Sequence, residues 1–243
     1  MNTYGMAVSL AKSAASYKEL VELLEGYTSE KFVLGLGQNP ILKRANVHPS
    51  EIVWALKEYS QFSSEAIHML IDARLHIHDW QGLAREIDRN VEEEKGSQTG
   101  GIPHLEIMRI GYLEGMGFDP TKHDPSSITK RFLSVMRHIF RQKNNPRIAG
   151  ALLAFESVAN PEFHAIDELY KRSGAQENKH MRSYIDGHKE FEIGHKDGLV
   201  QAIEPYITAP RYEEFAAGYI EVCHIMSDWW IELDEKLEWT QKI

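Results

Sequence analysis

Apolar residues recur every three to four positions along most of this chain, which is the spacing of amphipathic α-helices. Proline opens one such segment after another, as at Pro49, Pro146 and Pro210, where its missing N–H costs a helix nothing. No alternating apolar–polar segment is bounded by an Asn-Gly or Asp-Gly hairpin signal. The pattern therefore predicts an all-α fold.

Turn signals between the periodic segments set the expected helix boundaries. We expect about seven to nine helices, over roughly residues 6–27, 48–76, 78–96, 104–116, 124–142, 145–160, 161–172, 176–207 and 210–243. The glycine-rich stretch 96–103 is the clearest loop, and Asn160-Pro161 is expected to interrupt a helix. No linker, internal repeat or low-complexity segment is visible, so a single helical domain over residues 1–243 is expected.

Composition narrows the class of protein. The chain has 243 residues, 42% of them hydrophobic, which allows a sizeable core. Its formal net charge is −9 without a run of Lys or Arg, which argues against nucleic acid or an anionic membrane as partner. The N-terminus lacks a secretory signal pattern, and no segment has the roughly 18 consecutive apolar residues of a membrane span. A cytoplasmic location is expected.

The most specific chemical signal is the spacing His-x3-Glu-x2-His at His188, Glu192 and His195. On a helix these side chains fall at about 0°, 40° and −20° around the axis, taking about 100° per residue. Two imidazoles and a carboxylate therefore point the same way, a combination that suits iron(II), manganese(II) or zinc. One helix supplies only part of a coordination sphere, so further ligands are expected elsewhere.

Two other segments offer such ligands. Glu65 and His68 have the Glu-x-x-His spacing of helical di-metal carboxylate proteins, and their apolar neighbours favour an inward orientation. Glu156 lies in an apolar run, where a carboxylate without a partner is costly to bury. The alternative for the first pair is an ordinary helix face. The alternatives for Glu156 are a carboxylate at a helix end near Asn160-Pro161, or an arginine partner such as Arg147. The expected metal ligands are Glu65, His68, Glu156, His188, Glu192 and His195.

The order of these motifs on an all-helical chain resembles that of the haem-oxygenase-like diiron oxidases. Within that group it is most similar to the CADD-like proteins, named for a chlamydial protein associating with death domains, and to their cyanobacterial relatives. The resemblance covers about residues 51–243. It implies a haem-oxygenase-like bundle of about seven core helices, often dimeric, that binds two iron ions and activates dioxygen.

The same resemblance implies residue roles. Glu65, His68 and His188 would hold one iron, and Glu156, Glu192 and His195 would hold the other. Tyr184, one turn before His188, would lie near the irons as a radical or relay residue, with an ordinary packed tyrosine as the alternative. Gln61 stands where some CADD-type members have their first carboxylate, which leaves open whether Glu65 or another group completes the first site.

We therefore expect a non-haem diiron oxidase or oxygenase that binds two iron(II) ions or else manganese. It would use dioxygen to oxidise or cleave a small organic substrate, with amino-acid, fatty-acid or p-aminobenzoate-type chemistry, and would form a homodimer. One alternative is a metal-independent enzyme of the thiaminase-like or quinone-cofactor-synthesis-like type, with the single cysteine, Cys223, as nucleophile. Another is a helical protein-interaction module without catalysis.

Overall fold

Ten α-helices account for most of the residues that the computed structural model describes, which are 3–35 and 37–240 except for the side chains at 191–193 and 238–240. Short 3-10 turns precede α7 and α10, and this part of the chain contains no strand. None of its helices is long and apolar enough to cross a membrane. The all-α prediction is confirmed. The helices are α1 (Thr3–Ser13), α2 (Tyr17–Lys31), α3 (Pro40–Lys43), α4 (Pro49–His76), α5 (Gln81–Glu94), α6 (His104–Met116), α7 (Ser127–Phe140), α8 (Asn145–Arg172), α9 (Lys179–Ile203) and α10 (Tyr212–Thr240).

Helix α8 lies at the centre of the bundle. It packs against α4, α7, α9 and α10, and residues 148–154 are buried without exception, as expected for a helix with no solvent-facing side. Helix α5 packs on α4 and α9, α6 packs on α9, and α1 and α2 pack on α10. The buried Trp229 and Trp230 of α10 belong to the same hydrophobic core. The elements around α8 therefore share one apolar interior.

The prediction that Asn160-Pro161 interrupts a helix is wrong, because α8 continues through Pro161. A proline inside a helix removes one backbone hydrogen bond and costs about 3 kcal/mol. Here the flanking residues pack into the core on several sides, which outweighs that local preference. The side-chain amide of Asn160 also donates a 2.7 Å hydrogen bond to the backbone carbonyl of Lys189. The two helices that carry the later motifs are therefore fixed against each other at this point.

Side-chain caps account for two other differences from the expected boundaries. The single helix expected over residues 6–27 is divided into α1 and α2, because Ser16 accepts a hydrogen bond from the backbone N–H of Glu19 and starts a new helix. Asn39 likewise accepts from the N–H groups of Ile41 and Leu42, and so starts the one-turn α3 where only a break was expected.

Two glycines allow α8 and α10 to cross at close range. A Cβ atom at Gly150 would lie 1.9 Å from the carbonyl oxygen of Phe215, and one at Gly218 would lie 2.0 Å from that of Arg147. Backbone atoms cannot move aside as a side-chain tip can. Each helix therefore presents a glycine to the backbone of the other, and this crossing sets the distance between them.

We expect Gly150→Ala to lower the free energy of unfolding by about 1–3 kcal/mol, since the methyl group forces the two helices apart. Urea unfolding followed by circular dichroism measures this change. Gly26→Ala is the matched control: Gly26 lies inside α2, and a Cβ there would meet no described neighbour within 4 Å, so alanine should stabilise by about 0.5–1 kcal/mol. Equal unfolding midpoints for Gly150→Ala and the unsubstituted protein would show that the crossing is not tight.

Candidate metal centre

A small cavity lies inside the bundle between α4, α5, α8, α9 and α10. Its volume of about 50 Å³ would hold a few water molecules, since one water needs roughly 10–15 Å³ on this measure. Aromatic rings form much of its wall, namely Tyr59, Phe62, Phe155, Phe163 and Tyr184. Polar groups also border it, namely Asn90, Glu94, Glu156, Glu162, His188 and His195. The polar groups are thus collected inside an otherwise apolar core.

Glu94, His104 and His188 form the first cluster of potential metal ligands. One ligand atom from each lies within 4.8 Å of those from the others. Oε1 of Glu94 lies 3.1 Å from Nδ1 of His104 and 3.6 Å from Nε2 of His188. Carboxylate oxygen and imidazole nitrogen together suit iron(II), manganese(II) or zinc. We call these three residues the first group.

A glycine-rich loop brings two members of the first group together. Glu94 is the last residue of α5, and His104 is the first residue of α6. In the loop between them Gly96 has φ +100°, and a Cβ there would lie 2.5 Å from the carbonyl oxygen of Ile102. Gly101 also has a positive φ and donates its N–H to the carbonyl of Gly96. Only glycine permits so tight a return, which places the two helix ends side by side.

The ring of His188 is held in one orientation by its own helix and by neighbouring rings. Its Nδ1–H donates a 2.7 Å hydrogen bond to the backbone carbonyl of Tyr184. Phe163 stacks on the ring with centroids 4.4 Å apart, and Tyr184 lies against it at 4.4 Å. With Nδ1 engaged, Nε2 is the nitrogen that faces Glu94, and the bond to Tyr184 fixes the tautomer as in metal-binding histidines.

Opposing effects set the charge of Glu94. Burial acts to raise the pKa of its carboxyl group, but hydrogen bonds from His104 and His188, with the charges of the two imidazoles, outweigh burial and leave the pKa well below its usual value. The carboxylate is therefore ionised over the physiological pH range. The Glu94 carboxylate therefore loses no proton when it binds a cation, whereas a protonated imidazole beside it must release its proton before it can bind a metal.

His195 lies between two further carboxylates. Its Nε2 is 2.5 Å from Oε2 of Glu93, and its Nδ1 is 3.4 Å from Oε2 of Glu156. All three side chains are buried. A metal-bound histidine typically binds the ion through one ring nitrogen and donates the other N–H to a carboxylate, and this arrangement supplies both partners. We call Glu93, Glu156 and His195 the second group.

The structure brings three of the six predicted ligands to the cavity and leaves two away from it. Glu156, His188 and His195 border the cavity. Glu65 instead lies 3.4 Å from Arg137 and is about one third exposed, and His68 is exposed. Glu192 lies within α9, but its side chain falls outside the described residues.

The orientation of α4 explains the placement of Glu65 and His68. The face of α4 that borders the cavity carries Tyr59, Phe62, Ser63, Ala66 and Leu70. At about 100° per residue, positions 65 and 68 lie on the other side of the helix. Gln61 is also directed elsewhere, since its amide donates to the backbone carbonyl of Pro120.

Sequence reasoning missed Glu93, Glu94 and His104. Glu93 and Glu94 belong to a run of acidic residues that resembled a solvated helix end, and in that run Glu92 is indeed exposed while the Glu93 side chain is 7% exposed. His104 resembled an ordinary helix start after Pro103. The available signal was the glycine-rich loop itself, because such a loop returns the chain sharply and so places the residues at its two ends near each other.

A family model matches residues 18–236 of the chain, and its description is a domain of unknown function with a solved structure, DUF3865. The chain belongs to the DUF3865 family. Its fold matches a CADD-like protein of unknown function from Nostoc punctiforme PCC 73102, with TM-score 0.86 and 27% identity over 91% of this chain and 98% of that chain. A second crystal structure described in the same way gives TM-score 0.84 and 26% identity over 91% and 95%. The predicted resemblance to CADD-like proteins is confirmed.

A curated relative has an assigned activity. 4-Chloro-allylglycine synthase from Streptantibioticus cattleyicolor is 25% identical over 152 residues, which cover 61% of this chain and 57% of that enzyme. The match thus spans less than two thirds of the relative's length. At the level of the family, the chain is related to an enzyme.

We expect His104→Ala to weaken iron(II) binding at the first group, because it removes a direct ligand. The loss in affinity should exceed the roughly 10–100-fold that follows from removing a residue that only hydrogen-bonds to a ligand. Anaerobic titration with iron(II), followed by elemental analysis, measures the bound metal. His68→Ala is the matched control, because His68 is an exposed histidine on the opposite side of α4 from the cavity, and it should leave binding unchanged. If His68→Ala lost metal while His104→Ala retained it, the ligand assignment would be overturned.

Proposed function

We propose that this protein binds two iron(II) ions and uses them to activate dioxygen for the oxidation or cleavage of a small organic substrate. The observation that carries the proposal is the meeting of two carboxylate–imidazole groups at one buried, aromatic-lined cavity. The first ion is assigned to Glu94, His104 and His188. The second ion is assigned to Glu156 and His195. The motif spacing adds Glu192 as a further ligand, and Glu93 lies beside His195.

The chemistry of the described residues fits such a pair of ions. Two divalent cations would compensate the carboxylates of Glu94 and Glu156 that border the cavity, and uncompensated burial of charge is costly. When bound, iron(II) would supply electrons that reduce dioxygen. Manganese(II) suits the same donor atoms.

The protein's own part is to orient the ligands and exclude water. The Tyr184 carbonyl holds the Nδ1–H of His188, so that Nε2 faces the site. Glu93 holds Nε2 of His195, so that Nδ1 faces Glu156 and the second ion. The rings of Phe62, Phe155 and Phe163 form an apolar part of the cavity wall, which limits the entry of water to the site.

The curated relative supports chemistry on a small molecule of the amino-acid class. The name 4-chloro-allylglycine synthase describes an enzyme that forms an amino acid, and amino-acid chemistry is among the reactions expected here. The homodimer remains a prediction.

The structure disfavours a nucleophilic role for Cys223. Its side chain is fully buried, does not border the cavity, and accepts a hydrogen bond from the hydroxyl of Thr28. Burial raises the pKa of the thiol to about 12. A thiol that is neutral and inaccessible at physiological pH is a poor nucleophile. The metal-dependent function is therefore better supported than the thiaminase-like alternative.

Protein loaded anaerobically with iron(II) should consume dioxygen in proportion to bound iron, with the effect saturating near two ions per chain. An oxygen electrode combined with iron analysis measures this dependence. Glu156→Gln is expected to reduce iron binding, since a neutral amide is a weaker ligand than a carboxylate. Absence of iron-dependent dioxygen uptake at full iron loading would refute the proposal.

If Tyr184 acts as a radical or relay residue, Tyr184→Phe should retain both irons but lose a tyrosyl radical signal that forms after exposure to dioxygen. Its ring lies 4.4 Å from that of His188, and phenylalanine preserves this packing. Freeze-quench electron paramagnetic resonance measures the signal. Tyr59→Phe is the matched control from the same cavity. A radical signal that survives in Tyr184→Phe, or that disappears in Tyr59→Phe instead, would assign the radical elsewhere.

A further inference from the structure

Glu162 is a buried carboxylate of the cavity that belongs to neither ligand group. It lies on α8 and is 2% exposed. Among the described residues its hydrogen-bond donor is the indole N–H of Trp230, 2.7 Å from Oε1. A carboxylate can accept about four hydrogen bonds, so most of its capacity is unused. The side chain also borders the cavity, where a ligand could use that capacity.

The charge of Glu162 is not compensated by any described residue that lines the cavity. The indole of Trp230 is neutral, and the described residues of the cavity wall include no lysine or arginine. By contrast, Glu94 and Glu156 each face an imidazole. Desolvation raises the pKa of Glu162 to about 8, opposed by the hydrogen bond from Trp230. Without a cationic partner, the carboxyl group therefore stays largely protonated at neutral pH.

The surroundings of Glu162 match those of an ammonium site. The cavity combines this carboxylate with the rings of Tyr59, Phe163 and Tyr184, and aromatic faces attract a desolvated cation. Asn90 is 1% exposed and borders the same cavity, and neither polar atom of its amide has a hydrogen-bond partner among the described residues. Its oxygen offers a further acceptor for an N–H group.

We propose that Glu162 binds a protonated primary amine of the substrate, and so fixes how the substrate lies beside the metal centre. This inference rests on the function proposed above, which it deepens by naming a substrate class. Glu162 is a positioning residue: its carboxylate pairs with the ammonium group, and the aromatic wall packs on the adjoining methylene groups. An alcohol of the same size lacks the charge that the site requires.

Metal-free protein titrated with n-butylamine and with n-butanol tests the proposal in an isothermal calorimeter. We expect butylamine to bind and butanol to bind at least about tenfold more weakly, as loss of a charge-assisted hydrogen bond implies. Glu162→Gln should weaken butylamine binding by a similar factor while still accepting the indole hydrogen bond. Glu156→Gln is the matched control from the same helix and cavity, and should retain butylamine binding.

Proton release provides a second measurement that needs no variant. Because Glu162 holds a proton near pH 7 when the cavity is empty, binding of an ammonium ion should displace about one proton, and affinity should rise from about pH 6.5 to about pH 9. Titrations in two buffers of different ionisation enthalpy count that proton. The other titratable groups that face the cavity are Tyr59 from α4, Glu94 from α5, Glu156 from α8, and Tyr184, His188 and His195 from α9.

The outcomes separate this proposal from the metal function. Equal affinity for amine and alcohol, no proton release, or equal weakening by Glu162→Gln and Glu156→Gln would each overturn the role of Glu162. Iron(II) titration of Glu162→Gln should still show two ions per chain. Failure of iron binding in the unsubstituted protein would instead refute the diiron function and leave the amine result standing.

Discussion

Buried carboxylates place the strongest constraint on this helical bundle. Glu93, Glu156 and Glu162 are each at most 6% exposed, in an interior made mainly of aromatic and aliphatic side chains. Removing one partner of a buried ion pair leaves an uncompensated charge and costs about 3–5 kcal/mol. Glu93 pairs with Arg89 of its own helix, but His195 of α9 also faces Glu93 and Glu156, and Trp230 of α10 donates to Glu162. These contacts therefore require that α5, α8, α9 and α10 be assembled together, and packing around α8 accommodates them.

The same cavity gives its carboxyl groups different properties. Glu94 faces two imidazoles, and its pKa lies well below the usual value despite burial. Glu162 faces an indole, which donates a hydrogen bond but carries no charge, and its pKa is about 8. At neutral pH the Glu94 carboxyl group is thus ionised, whereas the Glu162 carboxyl group of the same cavity is largely protonated. Differences of this kind allow one site to bind a cation at one end while discriminating ligands at the other.

The sequence predicted features that depend on local periodicity. The helical class, the shared face of His188 and His195, and the inward position of Glu156 all follow from helix geometry and from the apolar run around Glu156. The orientation of α4 does not follow from its periodicity. A Glu-x-x-His spacing places Glu65 and His68 on one side of a helix, but it does not determine which side packs against the core. Periodicity could not identify Glu94 and His104 either, because their proximity depends on the path of the loop between them.

That loop gives the proposed ligands unequal mechanical support. Glu156, His188 and His195 project from the middle of long helices, where packing on several sides fixes the backbone. Glu94 and His104 stand at the open ends of two helices, joined by a stretch in which Gly96, Gly100 and Gly101 have positive φ. Small changes of loop length or composition would shift this pair of ligands without repacking the bundle. A metal ion bound as we propose would therefore have some ligands on rigid helices and others on an adjustable loop, so that a change in this surface segment alone would alter metal affinity.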